Sequence, residues 1–199
     1  MRLSALAFAG LIVGLAVGPS AAWDLDPAAE AMVAQGRPWV LVRPGPGGDE
    51  GLVRGAIDIA APASAVVATI RDCDLAPRMV ATLKSCRILE RDSAGRWDVR
   101  EHVSRPTFLL PPVRSVFRSD YEGERLIRFH RTAGDLRRLE GEWRLVERPG
   151  GVTRVFYENL ATAPFRLPGP LVRLALRRDV PAALLALRRE SLARRAVGG

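Results

Sequence analysis

A chain of 199 residues that is 48% hydrophobic and 26% charged has the make-up of a folded globular protein, which excludes a disordered or low-complexity polymer. The length suits one domain with a substantial core. His102 and His130 are the only histidines and show no paired spacing, too few for the usual zinc site, and neither a metal nor another cofactor is expected.

The charge of +8 is lopsided. Between Arg166 and Arg195 there are eight arginines against only Asp179 and Glu190. Such a stripe favours an anionic partner, lipid headgroups or nucleic acid. The plain alternative is a solvated face in an Arg-rich protein, since Lys84 is the only lysine.

Arg2 precedes an apolar, uncharged stretch from Leu3 to Val17, followed by Gly18, Pro19, Ser20, Ala21 and Ala22. A bilayer needs about 20 apolar residues, so this run is too short to span one comfortably. Small Ser20 and Ala22 fit the cleavage positions of a secretory signal. The expectation is a leader over 1–22, a mature start near Trp23, and a periplasmic or secreted protein. An uncleaved anchor is the alternative, disfavoured by the closing proline and small residues. Export makes lipid the favoured anionic partner and a Cys73–Cys86 disulfide the natural pairing.

Asp26 and Pro27 cap a short helix ending before Gly36, and a short strand follows over Trp39 to Val42. Pro44 to Gly51 reads as a loop, and Glu50 at the third glycine position rules out a dinucleotide fingerprint. Leu52 to Ile59 alternates as a strand with Val53, Gly55, Ile57 and Ile59 on one face. Val66, Val67 and Ile70 then lie at helical spacing, and Pro77 opens a second short helix bearing Met79, Val80 and Leu83. Six strands follow, at 87–91, 96–103, 113–122, 125–131, 138–147 and 152–161, separated by turns that require an antiparallel meander. Leu171 to Ala196 reads as a long helix that Pro181 should kink.

From about Gly51 onward this order resembles the START-like superfamily, in particular its polyketide cyclase and coenzyme Q-binding branch. The residues that carry the resemblance are Ile57 and Ile59 before Pro62, Cys73 through Pro77 to Cys86, Leu139, Gly141, Trp143 and Leu145, the Gly150–Gly151 turn, Thr153, Val155 and Tyr157, and the final helix. The resemblance implies an α+β helix-grip fold, in which a curved antiparallel sheet of six to seven strands wraps the C-terminal helix around a ligand cavity. Residues 51–199 then form the ligand-binding domain, and 23–50 an extension outside the family core.

Inward strand and helix positions nominate Trp97, Val99, Ser115, Phe117, Ser119, Tyr121, Phe129, Trp143, Tyr157, Leu174 and Leu184 for that cavity. Gly141 among large residues predicts close approach of another backbone, that of the last helix. Phe108, Leu109 and Leu110, rimmed by Arg105 and Arg114, predict an entrance or membrane-contact loop. The apolar connection from Pro164 to Pro170 leads into the basic helix and is expected beside it; the alternative is that both loops pack on the body. Arg173, Arg177, Arg178, Arg188 and Arg189 make up the basic face.

No catalytic constellation emerges. Glu101 and His102 are adjacent on a strand and face opposite ways, and there is no G-x-S-x-G elbow. Glu101, Glu140, Glu142 and Glu158 fall on the outward phase beside arginines. The reading is therefore a carrier for a lipid-, quinone- or polyketide-like molecule, with transient contact to an anionic membrane. A cyclase, dehydratase or isomerase in the same cavity is the alternative. Nucleic acid, bound by some members of the superfamily, is not expected of an exported chain.

Overall fold

The computed structural model describes residues 24–45, 50–164 and 169–197. The expected leader, residues 46–49 of the Gly/Pro loop and residues 165–168 of the second apolar connection lie outside that description. Asp26 caps α1 (Pro27–Ala34), its Oδ1 accepting a hydrogen bond from the Ala29 amide at 2.8 Å. The helix ends at Gln35, and Gly36 turns the chain at φ 69° into β1 (Trp39–Pro44).

β2 (Gly51–Ile59) is followed by α2 (Ala63–Arg71) and α3 (Ala76–Met79). The meander then runs through β3 (Leu83–Arg91), β4 (Trp97–Ser104), β5 (Val113–Glu122), β6 (Leu126–Gly134), β7 (Arg138–Arg148) and β8 (Val152–Thr162). The chain closes with α4 (Gly169–Val197), which continues through Pro181 although that residue cannot donate to the Arg177 carbonyl. Leu83 belongs to β3 and not to the second short helix, because it pairs with Ser104 and is buried there.

All eight strands form one antiparallel sheet in the order β1-β2-β8-β7-β6-β5-β4-β3. The sheet has one strand more than expected because β1, from the N-terminal extension, pairs with β2 from Trp39↔Ala56 to Pro44↔Gly51. α1 lies on the outer face of the sheet, where Val33 packs with Ala56 and Phe156. Beside it Arg154, almost wholly buried, grips Asp58 at 2.7 and 2.8 Å and Glu30 of α1 at 2.6 and 2.5 Å.

The main core lies on the inner face, where Ile57, Ile59, Val155 and Leu145 meet Val66 and Val67 of α2 and Leu184 and Leu187 of α4. α4 packs mainly on β1, β2, α2 and α3. At Gly55 the helix comes close enough that an added Cβ would lie 2.9 Å from Leu184 Cδ1. Gly141 serves a different contact from the one expected. An added Cβ there would overlap the Glu158 carbonyl oxygen and lie 2.6 Å from Phe129 Cζ, so the space belongs to β8 and β6 and not to α4.

Cys73 and Cys86 form a disulfide with a Cα–Cα distance of 5.3 Å, tying the α2–α3 connection to β3. In the chain-entropy picture a cross-link over so short a loop stabilises by roughly 3 kcal/mol. The paired substitution Cys73→Ser with Cys86→Ser should therefore lower unfolding stability by about that amount. Chemical denaturation of both proteins measures it.

Candidate functional site

Because α4 sits over β1 and β2, the concave face from β4 to β8 is left partly uncovered. A cavity of about 280 Å³ lies there. Its floor and walls come from Arg100 and His102 of β4, Phe117, Ser119 and Tyr121 of β5, Ile127 and Phe129 of β6, Leu139 and Trp143 of β7, and Tyr157 and Asn159 of β8. Ile70 of α2, Ala76 and Met79 of α3, Val80, and Ala183 and Leu187 of α4 close the other side. Most of this lining is apolar, as a small-molecule pocket requires.

Rings run across the sheet in a row. His102 meets Phe117 edge-on at 4.8 Å, Phe117 lies 6.1 Å from Phe129, Phe129 6.5 Å from Tyr157, and Tyr157 4.2 Å from Trp143. Strand alternation produces the row, since each ring stands on the inward phase of its own strand.

At one end of the cavity is a buried charge pair. The Arg100 guanidinium donates to both Asp98 oxygens at 2.9 and 2.6 Å and to the Tyr121 hydroxyl at 2.8 Å, and that hydroxyl donates to Asp98 at 2.5 Å. Arg100 also reaches the Ile70 and Arg71 carbonyls at the C-terminal end of α2, each at 3.4 Å. Arg71 covers the Tyr121 ring at 4.0 Å. The two charges thus cancel locally with their hydrogen-bonding groups occupied, which a buried ion pair needs in order to be tolerated.

Burial sets the titration of the other groups. It drives His102 down to about 4, with the nearby Arg100 charge acting in the same direction. It pushes Tyr121 up to about 12 against the opposing Arg100 charge, and Tyr157 up to about 12 against a hydrogen bond from Asn159. His102 Nε2 and Asn159 Oδ1 are both buried without a hydrogen-bond partner.

Of the residues nominated from sequence, Phe117, Ser119, Tyr121, Phe129, Trp143 and Tyr157 line this cavity. Ser115 is buried on the same face of β5, outside the lining, and Leu184 fills the space against β2. Trp97 and Val99 stand on the other phase of β4, with Trp97 under Arg118 at 4.3 Å. The inward positions are Asp98, Arg100 and His102, because the ion pair reverses the ordinary apolar-in pattern. Leu174 is 68% exposed and lies away from the cavity, in a part of α4 beyond its packing on the core.

Phe108 and Leu109 are 85% and 79% exposed at the tip of the β4–β5 loop, and Leu110 is half-buried. The expected basic face divides. Arg188 donates to the Gly36 carbonyl at 2.9 Å and Arg189 to the Arg78 carbonyl of α3 at 3.5 Å, so both tie α4 to other elements. Arg177 and Arg178 are exposed and Arg173 is half-buried. Leu176 of this half of α4 lies against Gly51, at the end of the sheet that also carries the β4–β5 loop. Glu101, Glu140, Glu142 and Glu158 pair outside with Arg87, Arg138, Arg144 and Arg54. Among the described residues no cluster of His, Cys, Asp and Glu could hold a metal ion.

A curved antiparallel sheet holding a long C-terminal helix over a cavity defines the helix-grip, START-like class. Residues 59–188 match the family described as polyketide cyclase/dehydrase and lipid transport, and the chain belongs to that family. Its fold is similar to that of the STAR-related lipid transfer protein from Xanthomonas axonopodis, at 19% identity over 78% of this chain and 93% of the other, with a TM-score of 0.67. The Zhui aromatase/cyclase from Streptomyces sp. R1128 is similar at 19% identity over 75% of this chain and 99% of the other, with a TM-score of 0.62. A START superfamily protein from Mycobacterium smegmatis, at 19% identity over 71% and 97% of the two chains, has a TM-score of 0.61. No curated protein sequence matches the chain.

His102 gives a pH test with a definite sign. Its depressed folded value means that the native state binds fewer protons than the unfolded chain below about pH 6.5. Its contribution is complete above that pH and lost as pH falls toward 4, at up to about 1.4 kcal/mol per pH unit. His102→Leu should flatten the stability profile over this interval, as read by urea denaturation at stepped pH.

Proposed function

We propose that the protein is an exported carrier that buries a hydrophobic small molecule between the sheet and α4. The observation that carries this reading is the mainly apolar cavity, set where α4 leaves the concave face uncovered. A ligand there gains about 25 cal/mol per Å² of apolar surface removed from water. Membership of the family and similarity to a protein titled lipid transfer support it, and the apolar N-terminal stretch supports export.

The second reading is a cyclase, dehydratase or isomerase in the same cavity, supported by similarity to an aromatase/cyclase. General acid–base catalysis works best with a group that titrates near the working pH. Here His102 is held neutral and both cavity tyrosines are held protonated at neutral pH, which favours holding a ligand over transforming it. Turnover of an aromatic polyketone by the purified protein would reverse that preference.

Delivery is assigned to the end that carries Phe108, Leu109 and Leu174, with Arg105, Arg173, Arg177 and Arg178 as the basic groups for an anionic bilayer. Ala183 lines the helix side of the cavity, so Ala183→Phe should fill it. Native mass spectrometry is expected to find a co-purified apolar molecule whose affinity this substitution lowers about tenfold, equivalent to about 1.4 kcal/mol of lost apolar burial. Arg173→Glu with Arg177→Glu should weaken flotation with phosphatidylglycerol vesicles at low salt. Undiminished flotation would refute the docking.

A further inference from the structure

The carrier reading leaves the ligand's chemistry open, and three features of the cavity narrow it. The first is charge. Among the described residues that line the cavity, Arg100 is the one permanent charge, and Asp98 neutralises it through two short hydrogen bonds. A carboxylate or phosphate placed here would find Arg100 already committed, and an ammonium would find Asp98 equally occupied. Burial of an unpaired charge is strongly unfavourable, so either ligand is rejected.

The second feature is shape. The rings of Phe117, Phe129, Tyr157 and Trp143 succeed one another at 4.2 to 6.5 Å across four strands. A flat ring system can meet such a row by offset or edge-on contact, whereas a flexible alkyl chain would surrender its torsional freedom for contact with ring faces alone. The third feature is unspent hydrogen-bonding capacity. His102 stands at one end of the row and Asn159 beside Tyr157 near the other, and each has a buried polar atom without a partner. Asn159 Oδ1 can only accept, so it calls for a donor. A buried acceptor left unpaired is costly, and a ligand that supplies the missing donor recovers that cost.

We infer that the cavity selects an uncharged, flat ring compound bearing at least one hydroxyl, with the ring against the aromatic row and the hydroxyl satisfied by Asn159 or His102. This rests on the carrier reading and adds the ligand class to it. Asn159 and His102 are then the specificity-determining residues.

Isothermal titration of the purified protein at neutral pH with naphthalene, 2-naphthol, 2-naphthoate and decanol separates the terms. 2-Naphthol is expected to bind about tenfold tighter than naphthalene, and about tenfold or more tighter than either 2-naphthoate or decanol. Asn159→Leu or His102→Leu should bring the affinity for 2-naphthol down to that for naphthalene measured on the same variant. Naphthalene binding itself reports that the variant is folded. The ranking on the unsubstituted protein decides the charge and shape terms whether or not a variant folds. 2-Naphthoate as tight as 2-naphthol, decanol as tight as 2-naphthol, or an unaltered naphthol preference in both variants would overturn the inference. Binding of decanol with no ring compound bound would overturn it and leave the carrier reading intact, whereas no binding by any of the four would remove both.

Discussion

The architecture turns on one close approach, that of α4 to β2 at Gly55. With no side chain on Gly55, Leu184 settles into the sheet and draws the helix over β1 and β2. The same placement draws it away from the middle of the sheet. Over β5 to β8 the rings of Phe117, Tyr121, Phe129, Trp143 and Tyr157 stand inward, and these keep the surface open where a nearer helix would have filled it. A single seat therefore fixes both the solid half of the interior, built on Ile57, Val66 and Leu187, and the hollow half beside it. Ligand space is a by-product of where the packing is best.

Charge is distributed by the same inside–outside division. Outward positions carry many Arg–carboxylate pairs, such as Arg87 with Glu101 and Arg138 with Glu140, and exposed pairs of this kind contribute about 0–1 kcal/mol each. Among the described residues the inner face of the sheet carries one pair, Asp98 with Arg100, and its setting is different. It is closed by Tyr121 and the α2 terminus, so it joins β4, β5 and α2. Its cost in desolvation is offset by complete pairing.

Most of the fold was legible in the sequence because alternation and turn residues mark each meander strand. β5 was read over its observed span, and its inward face of Phe117, Ser119 and Tyr121 is the face on the cavity. β4 was misphased for a physical reason. Hydropathy assigns the apolar Trp97 and Val99 inward, but the buried ion pair inverts that rule, and the long β4–β5 loop fixes no register by turn geometry. Pairing Asp98 with Ser119 and Arg100 with Phe117 across the two strands would have corrected it. Leu174 was assigned by helical period alone, which cannot tell how far along α4 the sheet extends. Asn159 gave no signal, since a polar residue near a strand end is ordinarily solvated.

The N-terminal extension has a consequence of another sort. By taking the outermost place beside β2, β1 makes the free margin of the sheet a strand that ends in exposed Arg43 and Pro44. At the opposite margin, β3 presents Lys84, Arg87, Glu90 and Arg91. Without β1, the open row of backbone donors and acceptors would belong to β2, with Val53, Ile57 and Ile59 along it. Charged side chains and proline are what keep such rows from recruiting a strand of another molecule. Both flanks of this sheet are thereby guarded against self-association, and one guard is supplied by residues that lie outside the family match.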